Sequence, residues 1–140
     1  MKITLDANVN QSVVFLKRRI KRLRSNVKKA LLITALKGIN IIEARTSKGR
    51  SYKGTFFKKY NASYAAYRLQ KGRSTKPNLQ FTGQMMSSMS AISTSKHAEI
   101  HFTRATEAKK AAMNDKKRPF FGFSRKEQKT LGRTFERHLK

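Results

Sequence analysis

The chain has 140 residues, 38% of them hydrophobic, and sets 33 lysines and arginines against seven acids for a formal net charge of +26. Such an excess repels itself in the compact state and calls for counter-ions or an acidic partner, whether nucleic acid, an acidic protein surface or anionic lipid. With no cysteine in the chain, disulfides and thiolate metal sites are excluded.

The length predicts a single domain spanning 1–140. A chain of this size buries roughly two-thirds of its unfolded surface, and its apolar residues fall in periodic blocks, as an ordered protein requires. Residues 1–16 hold no apolar run of signal-peptide length, and the longest run elsewhere is broken by Lys37 and Gly38. The expectation is therefore no secretion signal, no transmembrane helix and a soluble protein in the cytoplasm where it is made.

At the N-terminus Ile3, Leu5 and Ala7 alternate with Lys2, Thr4 and Asp6, which predicts a short half-buried strand. Asn10 or Ser12 then suits the cap of a long helix over about 11–45. Val13, Leu16, Ile20, Leu23, Val27, Leu31, Ala35, Ile39 and Ile42 recur at spacings of three and four, so one apolar stripe stays on one face throughout. The other face is basic: Lys17, Arg18, Arg19, Lys21, Arg22, Arg24, Lys28 and Lys29 occur with no acid among them. After Val27 the stretch "ALLITALKGINIIEA" is apolar nearly all round, which predicts a solvated first half and a second half buried in the domain or against a neighbouring subunit.

Residues 46–62, rich in glycine, serine and lysine, read as a loop. "SYAAYRLQKG" suits a short helix or an extended segment, "RSTKPN" a second loop, and Thr82 the cap of a short turn over "TGQMMSSM". A hairpin follows within about 86–103, with "MSAIST" and "HAEIHFT" flanking the turn and Ala98, Ile100 and Phe102 alternating with His97, Glu99 and His101. "RATEAKKAAM" has helical propensity. Ser124 and Glu127 have capping-box spacing for a C-terminal helix over about 124–139, on which Leu131, Phe135 and Leu139 share a face. The fold class is thus α+β, with a long N-terminal helix and a C-terminal helix packed on a small antiparallel sheet.

Enzymatic and cofactor signatures are weak. "GRSYKGT" gives Gly49 and Gly54 the glycine spacing of a phosphate loop, but Thr55 stands where the lysine belongs. His97 and His101 share a strand face with Glu99, yet residues four apart on a strand are too distant to chelate easily. The seven carboxylates offer no acid–base pair by spacing, and no nucleophile signature occurs. No enzyme, no metal and no cofactor are expected. Two basic features remain. Tyr52, Phe56, Phe57, Tyr60, Tyr64 and Tyr67 interleave with Lys53, Lys58, Lys59 and Arg68, which suits either base stacking or rings that pin the loop onto the helices. The basic helix face, eight cations in thirteen residues, suits a phosphate backbone or an acidic partner.

Three segments in order carry a resemblance. "ARTSKGRSYKGTFFKKYNASYAAYR" (44–68), "LQFTGQMMSSM" (79–89) and "RPFFGFSRKEQKTL" (118–131) together resemble the tailed-phage virion-morphogenesis proteins, the Mu-like and lambdoid tail-completion or neck family. The resemblance spans about residues 40–140. It implies a structural protein without enzymatic activity that assembles as a homo-oligomeric ring at the head–tail junction, between head connector and tail. The implied location is the virion neck, with host cytoplasm during assembly. "AAMNDKK" stands where many members carry a histidine or glutamine followed by glycine, and the charge of +26 is unusual for a wall protein.

On this reading Arg118, Pro119, Phe120, Phe121, Gly122 and Phe123 form an elbow that anchors to the core or to the next subunit. Pro119 keeps Arg118 extended, Gly122 permits a tight bend, and Ser124 caps the helix that follows. The basic helix meets DNA phosphates or an acidic connector or tail surface. The alternative function is a small, highly basic nucleic-acid-binding protein. A membrane-surface role for the amphipathic N-terminal helix ranks third, because its stripe is needed for a core.

Overall fold

The structure is a computed structural model that describes residues 7–139. In chain order it comprises α1 (Ala7–Ser47), α2 (Ala62–Gln70), α3 (Gln84–Ser87), β1 (Met89–Ser93), β2 (Ala98–Phe102), α4 (Ala105–Lys117) and α5 (Arg125–Leu139). The class is α+β, as predicted: the long first helix, the last helix and a two-stranded antiparallel sheet pack together. In the sheet Met89 pairs with Phe102, Ala91 with Ile100 and Ser93 with Ala98.

Most of the expected strand at the N-terminus lies outside the described residues, and from Ala7 onward the chain is already helical. Asn10 and Ser12 therefore sit inside α1 rather than at its cap. The helix is continuous for 41 residues, about 60 Å at the usual rise. Its Gly38 leaves room for a neighbour: an added Cβ would stand 2.8 Å from Phe123 Cζ and 3.1 Å from Ile100 Cδ1.

The core gathers Ile39 and Ile42 of α1, Phe57, Leu79, Met85 and Met86 of α3, Met89 of β1, Ala111 of α4, and Phe120. Ile100, Phe102 and Phe123 pack against this cluster from its edge. Met89, Ala91, Ala98, Ile100 and Phe102 share one sheet face, which is why the alternation was legible, whereas Ile92 lies on the other face beside Glu99 and is exposed. α5 runs antiparallel to α1, its first turn at Arg45 and its Leu131 beside Leu31, Thr34 and Ala35. Ser124 and Glu127 form the expected capping box: Glu127 N–H donates to Ser124 Oγ at 3.2 Å and Ser124 N–H to Glu127 Oε2 at 2.8 Å.

"SYAAYRLQKG" is helical, as α2, and Asn61 caps it by accepting from Tyr64 N–H. Residues 84–87 form α3, so the hairpin begins at Met89 rather than 86. Gly83 occupies the N-cap of α3, and Thr82 Oγ1 accepts from Gln84 N–H at 3.4 Å. "GRSYKGT" is a turn closed by the Arg50–Phe56 bridge, with Gly49 and Gly54 at positive φ, and no helix follows it to receive a phosphate. Among the described residues no helix is long and apolar enough to cross a membrane.

The first half of α1 is solvated, as expected, and the burial of the second half is narrower than the sequence suggests. Counted from residue 13, Val27 is the first half-buried residue of α1; the Lys28 carbonyl then accepts from Ser93 Oγ at 2.9 Å, and Ala30 is the first buried residue. Upstream, Val13, Leu16, Ile20 and Leu23 are exposed, so the stripe runs on without a core beneath it. Downstream, Ile33 and Leu36 are exposed too, so the second half buries one face rather than its whole circumference. α5 has only 15 residues, too few to cover all of α1.

Candidate functional site

The candidate surfaces are the free N-terminal part of α1, the elbow before α5, and the aromatic loop. In the first, residues 13–26 are exposed and stand clear of the body as a helical arm. Leu16 is 54% exposed and Leu23 is 55% exposed. At about 100° per residue, Val13, Leu16, Ile20, Leu23 and Val27 fall within roughly a quarter of the circumference. They continue in phase with Leu31, Thr34 and Gly38, which line an apolar groove of about 350 Å³ beside α5. Lys17, Arg18, Arg19, Lys21, Arg22, Arg24, Lys28 and Lys29 are all exposed on the remaining surface. Among the described residues the ion pairs are Arg45–Glu127 and Lys110–Glu107, so none of these eight cations has an acid partner there. The arm is thus cationic with an unpartnered apolar stripe.

The elbow is built inward more than outward. Arg118 is extended at the C-terminus of α4, and its guanidinium turns back into the body. Its Nε donates to Lys58 O at 2.7 Å and one Nη to Lys59 O at 3.2 Å, while the group lies 4.7 Å from the Tyr60 ring. Pro119 O accepts from Tyr52 N–H at 3.2 Å. Phe120 is wholly buried, because a carboxylate ties its backbone down: Asp115 Oδ1 accepts from both Phe120 N–H and Phe121 N–H at 2.9 Å.

Gly122 makes the expected bend, its N–H donating to Phe120 O at 3.2 Å. It also has a second reason to be glycine. An added Cβ would stand 2.7–3.0 Å from three atoms of the Tyr52 ring. Phe123 fills the space above Gly38. That leaves Phe121, 37% exposed and 5.3 Å ring to ring from Phe102, as the elbow's outward aromatic.

Arg45 fastens this elbow, and the periodic pattern of α1 gave no sign of it. One Nη donates to Glu127 Oε2 at 2.6 Å, and the other to the carbonyls of Phe120 and Gly122. Its only sequence signal is its place in the Arg-Thr pair of the first quoted segment. Arg68 is likewise buried, donating to Ser74 O, Asn78 Oδ1 and Gln80 O. It holds the 74–80 loop closed.

The loop aromatics divide. Phe57 is core and Tyr52 covers Gly122, while Phe56, Tyr64 and Tyr67 are exposed. His97 lies just before β2 and is exposed, and His101 is opposite Ser90. Among the described residues no three His, Asp or Glu side chains gather in a way that could hold a metal ion. Comparison with protein-family models, with curated proteins and with solved structures found no match to this chain.

Proposed function

We propose that this chain is a structural subunit of a tailed-phage head–tail junction, of the tail-completion or neck kind, that assembles as a homo-oligomeric ring around the DNA passage. The observation that carries the reading is the arm. Helices in water draw most of their stability from burying an apolar face, and this one extends through residues 13–26 with its stripe uncovered. A neighbouring subunit supplies the missing cover. With the arm seated on a neighbour's body rather than on its arm, the contact is head-to-tail, the kind that can close into a ring. The exposed phenylalanine of the elbow adds to the same contact.

The stripe then faces the neighbour and the basic face is left for DNA phosphates or for an acidic connector or tail surface. The reading asks for no catalytic residue and no cofactor. Its location is the virion neck, with the host cytoplasm as the place of assembly.

A second reading draws on the eight unpaired cations of α1, six of them on the arm: a small basic protein that binds nucleic acid as a monomer, with affinity falling steeply as salt rises. Solution mass by light scattering, at about 0.15 and 0.5 M salt to vary charge screening, separates the two. Discrete self-assembly that survives the higher salt without DNA supports the ring. A 16.1 kDa monomer that binds duplex DNA and releases it in salt favours the second reading. Neck rings also close on preassembled partners, so a monomer indifferent to DNA is next mixed with isolated connector and tail components, and failure to join either rejects the ring.

A further inference from the structure

The face formed by α2, the turn before α3 and α4 takes no part in the ring reading. A pocket of about 640 Å³ opens there, within the range of ligand sites. Lys58, Lys59, Lys110 and Lys117 stand exposed around it. Its wall is aromatic: Tyr64 and Phe81 line it, and Tyr67 joins them into a ledge of three rings. Tyr64 and Tyr67 are stacked at 6.3 Å, and Tyr67 and Phe81 at 5.7 Å with their planes 9° apart. Tyr67 is 45% exposed. On the far side of Phe81 a second hollow of about 320 Å³ holds Arg73, whose guanidinium lies 5.8 Å from the Phe81 ring.

Beneath the ledge lie charges of both signs. Arg68 and Glu107, 1% and 3% exposed, both line the larger pocket. Each keeps one enclosed atom without a hydrogen-bond partner in the chain, Arg68 Nη1 and Glu107 Oε2.

We propose that this face binds single-stranded nucleic acid, with bases stacked on the Tyr64–Tyr67–Phe81 ledge and phosphates on the lysines around it. Every base has a π-face, so exposed rings beside cations accept a strand without regard to sequence. A duplex keeps its base faces occupied and meets only the cations. An acidic peptide uses the cations but not the rings. The Glu107 carboxylate, whose Oε1 accepts from Lys110 Nζ at 2.9 Å, keeps its Oε2 for the N–H groups of a base edge, and the Arg68 guanidinium suits the base carbonyls.

The test is fluorescence anisotropy with a labelled oligo(dT) of about 15 nucleotides, near the upper site size for one small domain, against a duplex of equal length. Tyr67→Ala is expected to weaken single-strand binding roughly 5- to 150-fold, the range of one lost stacking contact, and to leave duplex binding within about twofold. Tyr67→Phe keeps the ring and is expected to bind as the parent does. Photocrosslinking of the parent protein to an iodouracil-substituted strand reads the site without any substitution, and adducts are expected within residues 58–81. Equal losses on strand and duplex, or adducts confined to residues 13–29, overturn the proposal. So does polyglutamate competing with the same dependence on Tyr67, which assigns the face to an acidic peptide.

Discussion

Arg45 and Glu127, 82 positions apart in sequence, meet at 2.6 Å. The carboxylate of Glu127 serves two masters, since its Oε2 also accepts the Ser124 amide that opens α5. Arg45 in turn holds two carbonyls of the elbow. One mostly buried pair thus fixes the end of α1, the turn and the start of α5.

Glu127→Ala removes the cap and leaves Arg45 without its counter-charge. Losing one partner of a buried pair typically costs about 3–5 kcal/mol; with Glu127 partly exposed, about 2–3 kcal/mol is expected here. Urea unfolding checks it, and a loss under about 0.5 kcal/mol, the scale of a surface change, would count against the arrangement.

Gly122→Ala drives a methyl into the Tyr52 ring, and overpacking of this kind costs about 1–3 kcal/mol. In a Tyr52→Ala background the clash is gone, so the same change is expected to cost much less there. A double-mutant cycle by thermal unfolding reads this coupling directly, and additive losses would show that the bend rather than the ring demands glycine.

Arg68→Ala removes the donors to Ser74, Asn78 and Gln80 from a fully buried site. The 74–80 loop is expected to become a preferred site of proteolytic nicking, with stability down by about 3 kcal/mol as buried acceptors lose their partner. Limited proteolysis with peptide mapping checks the first part.

Replacing Lys17, Arg18, Arg19 and Lys21 with glutamine touches only exposed positions. Folding stability should stay within about 0.5 kcal/mol. If the arm follows a phosphate backbone, the slope of log affinity against log salt for duplex DNA flattens by up to about 0.9 for each lost contact. An unchanged slope would turn the arm toward a protein partner.

How much of this was legible depends on the interaction involved. The long helix, the hairpin and the capping box declare themselves through spacing, because each is set by residues three, four or two apart. The stripe on α1 was read correctly as a stripe. What covers it was not, since periodicity names a face and says nothing of the neighbour, and α5 proved too short to reach Leu23 or Leu16. Arg45, Arg68 and Asp115 were invisible for a related reason. Their partners are largely backbone atoms brought near by the fold, and a carbonyl leaves no mark in the letters. Phe120 was placed in the right element, but only the structure separates it as core from the exposed Phe121.

The continuity of α1 has a further consequence. Because no break separates arm from body, the angular setting of the stripe is dictated by residue count alone. One residue inserted between Leu23 and Val27 would swing the arm's apolar side by about 100°, leaving the body intact and aiming the stripe past any neighbour. Seven inserted residues would bring it back to within about 20° while lengthening the arm by about 10 Å. The arm is therefore a ruler as well as a contact, and its reach and its aim can be altered one at a time.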